Sequence, residues 1–281
     1  MSIVHSPVSN LISFNHLLRV CLAVFIASTV VPSAGMSQIL NVDRAASDDT
    51  TGKTFFAFIG LNASADKQKK ELVDISANAD FSWLLPDSLV TVFKVNTDLT
   101  TNGSDIIQNT GFFHLRLRDN DSRKFSPEVF AQVQWNGVLG MENRILLGSN
   151  FRWMAIHTDG NNLFMGLGLM VEHEEWNYKG VPGLETPDEL PGVTTRKWRI
   201  NHYIKWAWKI SPKADLVLAN FTQLPVDAPG KPRIASNAAL NFRLLKWLGL
   251  SVNYDSMYDV DPPVPISNYY YSLKGQLTMS F

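Results

Sequence analysis

Cysteine is nearly missing from this chain, and its scarcity excludes two classes of protein. A single thiol, Cys21, among 281 residues supports neither a disulfide framework nor a cysteine-rich metal site. An excess of either charge is missing too. The formal net charge is −1, so bulk electrostatics names no polyanionic partner, nucleic acid included. No sustained helical period is found, and no long apolar run follows residue 31.

The one apolar run, Val20–Val31, follows Arg19 and leads into the small-residue stretch Pro32-Ser-Ala-Gly-Met-Ser-Gln38. A positive residue, a short apolar run and a small-residue end are the layout of a secretion signal. Residues 1–37 are therefore expected to direct export, with cleavage near Ala34 or Ser37. The run is shorter than the roughly 20 residues a helix needs to span a bilayer. Cys21 is not read as a lipid anchor, because Arg19 lies two residues before it and the apolar run continues after it. Residues 38–52 carry Asp43, Arg44, Asp48 and Asp49 and read as a short periplasmic segment. A secreted chain with no helical anchor is soluble in the periplasm, exported, or a barrel.

What is present is aromatic side chains (8 Trp, 16 Phe, 7 Tyr) and a period of two. In the last stretch, Tyr269, Tyr271, Leu273, Gly275, Leu277, Met279 and Phe281 share one register. Tyr270, Ser272, Lys274, Gln276, Thr278 and Ser280 share the other. Outer-membrane barrels commonly close on such a strand, and their assembly machinery reads its aromatic end.

The alternation rule predicts about twelve strands, near 53–63, 71–84, 88–98, 105–118, 126–137, 142–156, 161–176, 194–209, 214–224, 233–244, 247–258 and 269–281. Most reach the roughly 9–11 residues a tilted strand needs to cross a bilayer, against about 5–6 for a typical soluble strand. Val129, Ala131, Val133 and Trp135 oppose Glu128, Gln132, Gln134 and Asn136; Ile145, Leu147, Phe151 and Trp153 oppose Arg144, Asn150 and Arg152. A soluble sandwich buries such an apolar face in a core, whereas a membrane barrel turns it to lipid; periodicity alone fits both.

Connection lengths favour the barrel, although the loop at 138–141 is short and the turn at 119–125 long. With the first strand starting in the periplasm, the longest connections, 177–193 and 259–268, fall outside. The tight turns at 85–87, 210–213 and 245–246 fall inside, which is the outer-membrane habit. Trp83, Trp135, Trp153, Trp176, Trp206, Trp208, Tyr258 and Tyr269 stand near strand ends, where interfacial girdles belong. The expected fold is all-β: a single antiparallel transmembrane β-barrel of about twelve strands over 53–281, its last strand ending in Phe281.

Three stretches carry a family likeness: Gly111-Phe-Phe-His-Leu-Arg-Leu-Arg118, Pro127–Asn136 with its Glu-x-Phe-x-Gln pattern, and Asn143–Arg152 with Arg144, Gly148 and Arg152. With Met170-Val-Glu-His-Glu-Glu-Trp176, they make the chain resemble the salt-stress-induced outer-membrane proteins of Gram-negative bacteria, a domain of unknown function. The resemblance implies a barrel in the outer membrane and no reaction.

The inward register gathers Lys94, Arg116, Arg118, Glu128, Arg144, Arg152, Glu172, Glu174, Arg199, Lys205, Arg243 and Asp255. Guanidinium and carboxylate pair through two parallel hydrogen bonds, so these residues either ring a pore for a small charged solute or fill the lumen as a self-neutralising plug. A rival reading is an outer-leaflet lipid hydrolase or acyltransferase. Ser149, His173 and His202 fall on the outward register, a serine nucleophile with histidine as base, and the sequence shows no outward acid to orient the imidazole. A third is a soluble periplasmic binding sandwich. No metal site or cofactor is expected: His173, Glu174 and Glu175 alternate between faces, and Gly166-Leu-Gly168 relieves crowding in the lumen. The expected partners are outer-membrane lipid, lipopolysaccharide and the barrel assembly machinery, and the charged loop Lys67-Gln-Lys-Lys70 reads as a solvated outside loop.

Overall fold

The computed structural model describes residues 55–67, 69–85, 89–119, 124–245 and 247–279. The signal sequence, the segment 38–52 and Phe281 lie outside them.

Twelve strands follow one another: β1 (Phe55–Lys67), β2 (Glu71–Leu84), β3 (Leu89–Asn102), β4 (Asp105–Asp119), β5 (Phe125–Asn136), β6 (Met141–Thr158), β7 (Asn161–Trp176), β8 (Val193–Ser211), β9 (Ala214–Pro225), β10 (Arg233–Arg243), β11 (Leu248–Asp259) and β12 (Tyr269–Met279). Each pairs antiparallel with the next, in a single sheet of order β1 to β12. This is one layer, not the two stacked layers of a sandwich. The strands run from 11 to 19 residues. The turns obey local chemistry: Asp159–Gly160 joins β6 to β7 with Gly160 at φ 107°, and Gly103 turns β3 into β4 at φ 66°.

The sheet coils into a barrel with its polar face inside. Charged side chains of the inner face are fully buried, Arg144, Glu172 and Glu174 at 0% exposure, while the apolar face is open, Leu61 at 79% and Phe151 at 71%. Leu147, Leu167, Trp198 and Leu277 are exposed on the same outer face. Interior contacts join strands far apart in the sheet. Tyr203 of β8 donates to Glu128 of β5, and Arg144 of β6 donates to Gln223 of β9 at 2.8 Å. Lys274 of β12 comes within electrostatic range of Asp98 of β3. Among the described residues no ladder joins β1 to β12.

Part of the expected aromatic girdle is outside. Trp83, Tyr258 and Tyr269 are exposed, and Trp206 and Trp208 stack at 5.3 Å. Trp176 is not among them. It shares the parity of Glu172 and Glu174 and points inward, where Leu139, Met141, Met257, Val264 and Ile266 enclose it. Val264 and Ile266 belong to the β11–β12 connection, which the pattern treats as a solvent loop; their apolar side chains, set among prolines, instead turn into the mouth.

Candidate functional site

Strand β6 displays the layers of the interior in order. From the capped mouth its inward residues are Met141, Arg144, Leu146, Gly148, Asn150 and Arg152. Met141 and Arg144 differ in parity, yet both face inward, because the β6–β7 register shifts between Met141 and Asn143 and adds the extra residue of a bulge.

Below the cap lies an ionic layer. Glu172 accepts from Arg144 Nε at 2.8 Å, Arg199 Nε at 2.6 Å and Arg233 Nη1 at 3.1 Å. Glu174 lies 3.0 Å from Arg144 and 2.6 Å from Arg233. Arg233 also reaches Asp259 at 2.7 Å. Three guanidinium groups and three carboxylates thus neutralise one another away from solvent, the arrangement under which buried charges are tolerated. Gln132 and Gln134 hydrogen-bond to each other beside it, and His114 shares a 2.9 Å hydrogen bond with Gln132.

Arg233 and Asp259 are the site residues that the sequence reading omits. Arg233 has the parity of Arg243, which the reading includes, but it stands at a strand end against a long connection. Only the curl of the sheet brings it to β7.

Phe130, Leu146 and Met170 form an apolar patch on the far side of the ionic layer. Next comes a second charged group. Glu128 accepts from Tyr203 Oη and from Asn150 Nδ2 at 3.3 Å, and it lies 3.7 Å from Arg116. Gly166 makes this possible: the Tyr203 ring lies where a Cβ at Gly166 would sit. Arg118 stands opposite Glu128 in the ladder and Lys205 opposite Phe164; both are buried. Arg152 rests its guanidinium over the Phe164 ring at 3.7 Å. On β3, Lys94 pairs with Asp80 at 2.9 Å.

The remaining inward charges stand apart. Asp255 accepts from Asn237. Arg243 is exposed at the far end and donates to the Pro212 carbonyl at 3.2 Å. The inward side chains Asp74, Asn96, Asp98, Asn253 and Lys274 are half-buried to exposed, whereas Val90, Val92 and Lys94 of β3 and Met257 and Asp259 of β11 are buried. The interior is therefore densely filled from β3 to β11 at the levels of these groups and looser along β1, β2 and β12.

The outward trio is not drawn together. Ser149 opposes Leu169, four residues from His173 on β7, which is about 13 Å along the strand. His202 opposes Leu167 one strand further on. Among the described residues no hydrogen bond links any two of the three. One expectation is corrected: His173 does have an outward acid, for its Nε2 lies 3.2 Å from Glu175 Oε1. The two residues share parity on β7, so the pairing follows from the strand's period of two.

A family profile described as "Protein of unknown function, DUF481" matches residues 61–269. The solved structure of the NanC porin is similar over 80% of this chain and 99% of the porin's, at 9% sequence identity and a TM-score of 0.41. No curated protein sequence matches. The chain belongs to the DUF481 family.

Proposed function

We propose that this DUF481 chain is an outer-membrane β-barrel whose lumen is closed at rest by its own side chains. It is a structural barrel of low passive permeability, not a wide pore. The observation that carries this reading is the layer of Arg144, Arg199, Arg233, Glu172, Glu174 and Asp259, which ties β6, β7, β8, β10 and β11 together with almost no solvent exposure. The apolar cap above it adds a second closure. The looser strip along β1, β2 and β12 is the route left for small ions. A fully closed barrel and a narrow passive pore thus differ only in whether that strip conducts.

Placement in the outer membrane draws on three observations. An apolar face runs around the outside of a sheet whose strands are long enough to cross a bilayer. In water such a surface would far exceed the few hundred Å² of contiguous apolar patch that soluble monomers show. Residues 1–37 have the layout of a cleaved export signal. The stretches 111–118, 127–136, 143–152 and 170–176 resemble salt-stress-induced outer-membrane proteins. In lipid every backbone donor requires a partner, so we place β1 beside β12 in the membrane.

Purified full-length protein in planar bilayers tests the reading. Small, infrequent current steps are expected, growing when Arg233 is neutralised. Large steady conductance from the wild type would overturn it. Phospholipid turnover that is lost on His202→Ala would replace it with the outer-leaflet enzyme.

A further inference from the structure

We infer that the outward side of β9–β11 is an interface on which a second copy of this chain docks, through a row of uncharged hydrogen-bonding side chains. The inference rests on the outer face lying in a membrane, and not on whether the lumen is closed.

The apolar outer face is interrupted in one place. Ala219, Phe221 and Gln223 of β9, Ala235 and Ala239 of β10, and Met257 and Asp259 of β11 are buried. Alternation along each strand therefore turns Asn220, Thr222, Ser236 and Ser256 outward, all of them half-buried. His202, between the buried Asn201 and Tyr203, is outward on β8. The ladders line these residues up. His202 opposes Thr222, Asn220 opposes Ser236, and Ser236 opposes Ser256. Apolar residues of the same face flank them along the strands: Ile200 and Ile204 around His202, Leu218 and Leu224 around Asn220 and Thr222, Ile234 and Ala238 around Ser236. The row thus lies within the apolar belt. The belt looks different on the other strands, where Leu115, Ala131, Leu147, Val171 and Trp198 oppose one another from β4 to β8.

The row keeps hydrogen-bonding capacity that lipid cannot use. The Thr222 hydroxyl donates to Asn220 Oδ1 at 3.2 Å, and Asn220 Nδ2 donates to Ser236 Oγ at 2.9 Å. Ser256 hydrogen-bonds to the Tyr269 hydroxyl, which also meets that of Tyr254. Among the described residues, no further partner takes the second N–H of Asn220, the hydroxyl hydrogen of Ser236 or the imidazole of His202. Hydrocarbon offers none, and an unmade hydrogen bond there is costly. Polar side chains inside a membrane characteristically bond across to a neighbouring protein segment.

Three features make that neighbour another copy of the chain. Serine, threonine and asparagine each carry both donors and acceptors, as an uncharged imidazole does, so the row complements itself, which a two-fold contact requires. The outward register of β9, β10 and β11 carries no charge, so two copies meet without repulsion, whereas Glu175 and Arg196 stand outward on β7 and β8. Ser236, Ala238 and Ser256 are small, which lets the two sheets approach closely.

The experiment uses the full chain with Cys21→Ser and Gly230→Cys, labelled at position 230 with a donor or an acceptor dye and folded into phosphatidylcholine vesicles. A side chain at Gly230, on the β9–β10 connection, meets nothing within 4 Å. Energy transfer that persists on dilution with lipid and fits pairs of copies is expected. Asn220→Leu combined with Ser236→Ala should raise the dissociation constant about tenfold or more, the loss of a few such hydrogen bonds. Ser149→Leu, which removes an outward polar group from β6, should leave it unchanged. Folding is read from heat-dependent gel mobility; if the double variant does not fold, His202→Leu is compared with Ser149→Leu in its place. Transfer that falls with dilution as random collision dictates, or row variants that pair like the wild type, would overturn the inference. Pairing that added lipopolysaccharide abolishes would put lipid on the row and overturn it too. A chain that does not float with the vesicles removes the membrane placement and the interface together; one that floats as a monomer removes only the interface.

Discussion

Arg233 Nη1 lies 2.6 Å from Glu174 Oε1, although β10 and β7 are separated by two whole strands. In a flat sheet three strand spacings are about 14 Å. The contact therefore requires the sheet to coil, with both residues on its concave face. The partners are 59 positions apart in the chain. The coil and the ionic layer support each other: curvature brings the charges together, and their pairing holds the curve.

Removing one member of this layer leaves buried charges without partners. Arg233→Ala should cost about 3–5 kcal/mol, the range for breaking a buried pair by deleting one side. Lys231→Ala removes an exposed pair, Lys231 with Asp261 at 3.1 Å, and should cost less than about 1 kcal/mol. Urea unfolding of the two variants in matched vesicles checks the contrast. Equal losses would mean that the layer contributes nothing beyond a surface ion pair.

The outer face distinguishes lipid from water. Leu147 is 60% exposed on β6. Leu147→Arg should cost about 2–4 kcal/mol in a bilayer if the site lies near its middle. On a water-facing strand the same change stays within about 0.5 kcal/mol. A neutral result in refolding titrations with lipid vesicles would remove the membrane from the account.

The cap makes a separate prediction. Replacing both Val264 and Ile266 with Ser places hydroxyls in a cluster that offers them only apolar neighbours and Trp176. The β11–β12 connection should then leave the mouth, and protease cutting near Pro263 should speed up while the strands stay protected. Unchanged cutting would mean that the connection is held by its polar ties, such as Asn268 Nδ2 to the Asp259 carbonyl at 2.8 Å, and not by the cluster.

Gly166 gives the fourth test. A Cβ there collides with the Tyr203 ring, and the ring cannot yield without giving up Glu128. Gly166→Ala should destabilise by about 1–3 kcal/mol, the usual range for overpacking. Gly230→Ala, with nothing within 4 Å of the added methyl, should fall within about 0.5 kcal/mol. Thermal unfolding in one detergent compares the pair, and a tolerated Gly166→Ala would show that Tyr203 has another resting place.

By itself the sequence determined the strands and their faces. A side chain on a strand alternates with a period of two whatever surrounds it, so β2 (Glu71–Leu84) and β7 (Asn161–Trp176) carry the limits that alternation predicts, and Arg144, Glu172 and Leu147 carry the faces. What alternation cannot encode is distance across the interior. Arg233 and Gln223 became partners of residues on β6 and β7 only because a twisted sheet coils, while Asp259 meets Arg233 directly across the β10–β11 ladder. The enclosure of Trp176 by the cap, and the gap between Ser149 and His173, were likewise decided in three dimensions, by which loop side chains reach the mouth and by the register of neighbouring strands. Local sterics set the first kind of fact; the second depends on closure of one face upon itself, a property of the whole sheet that no single stretch of chain contains.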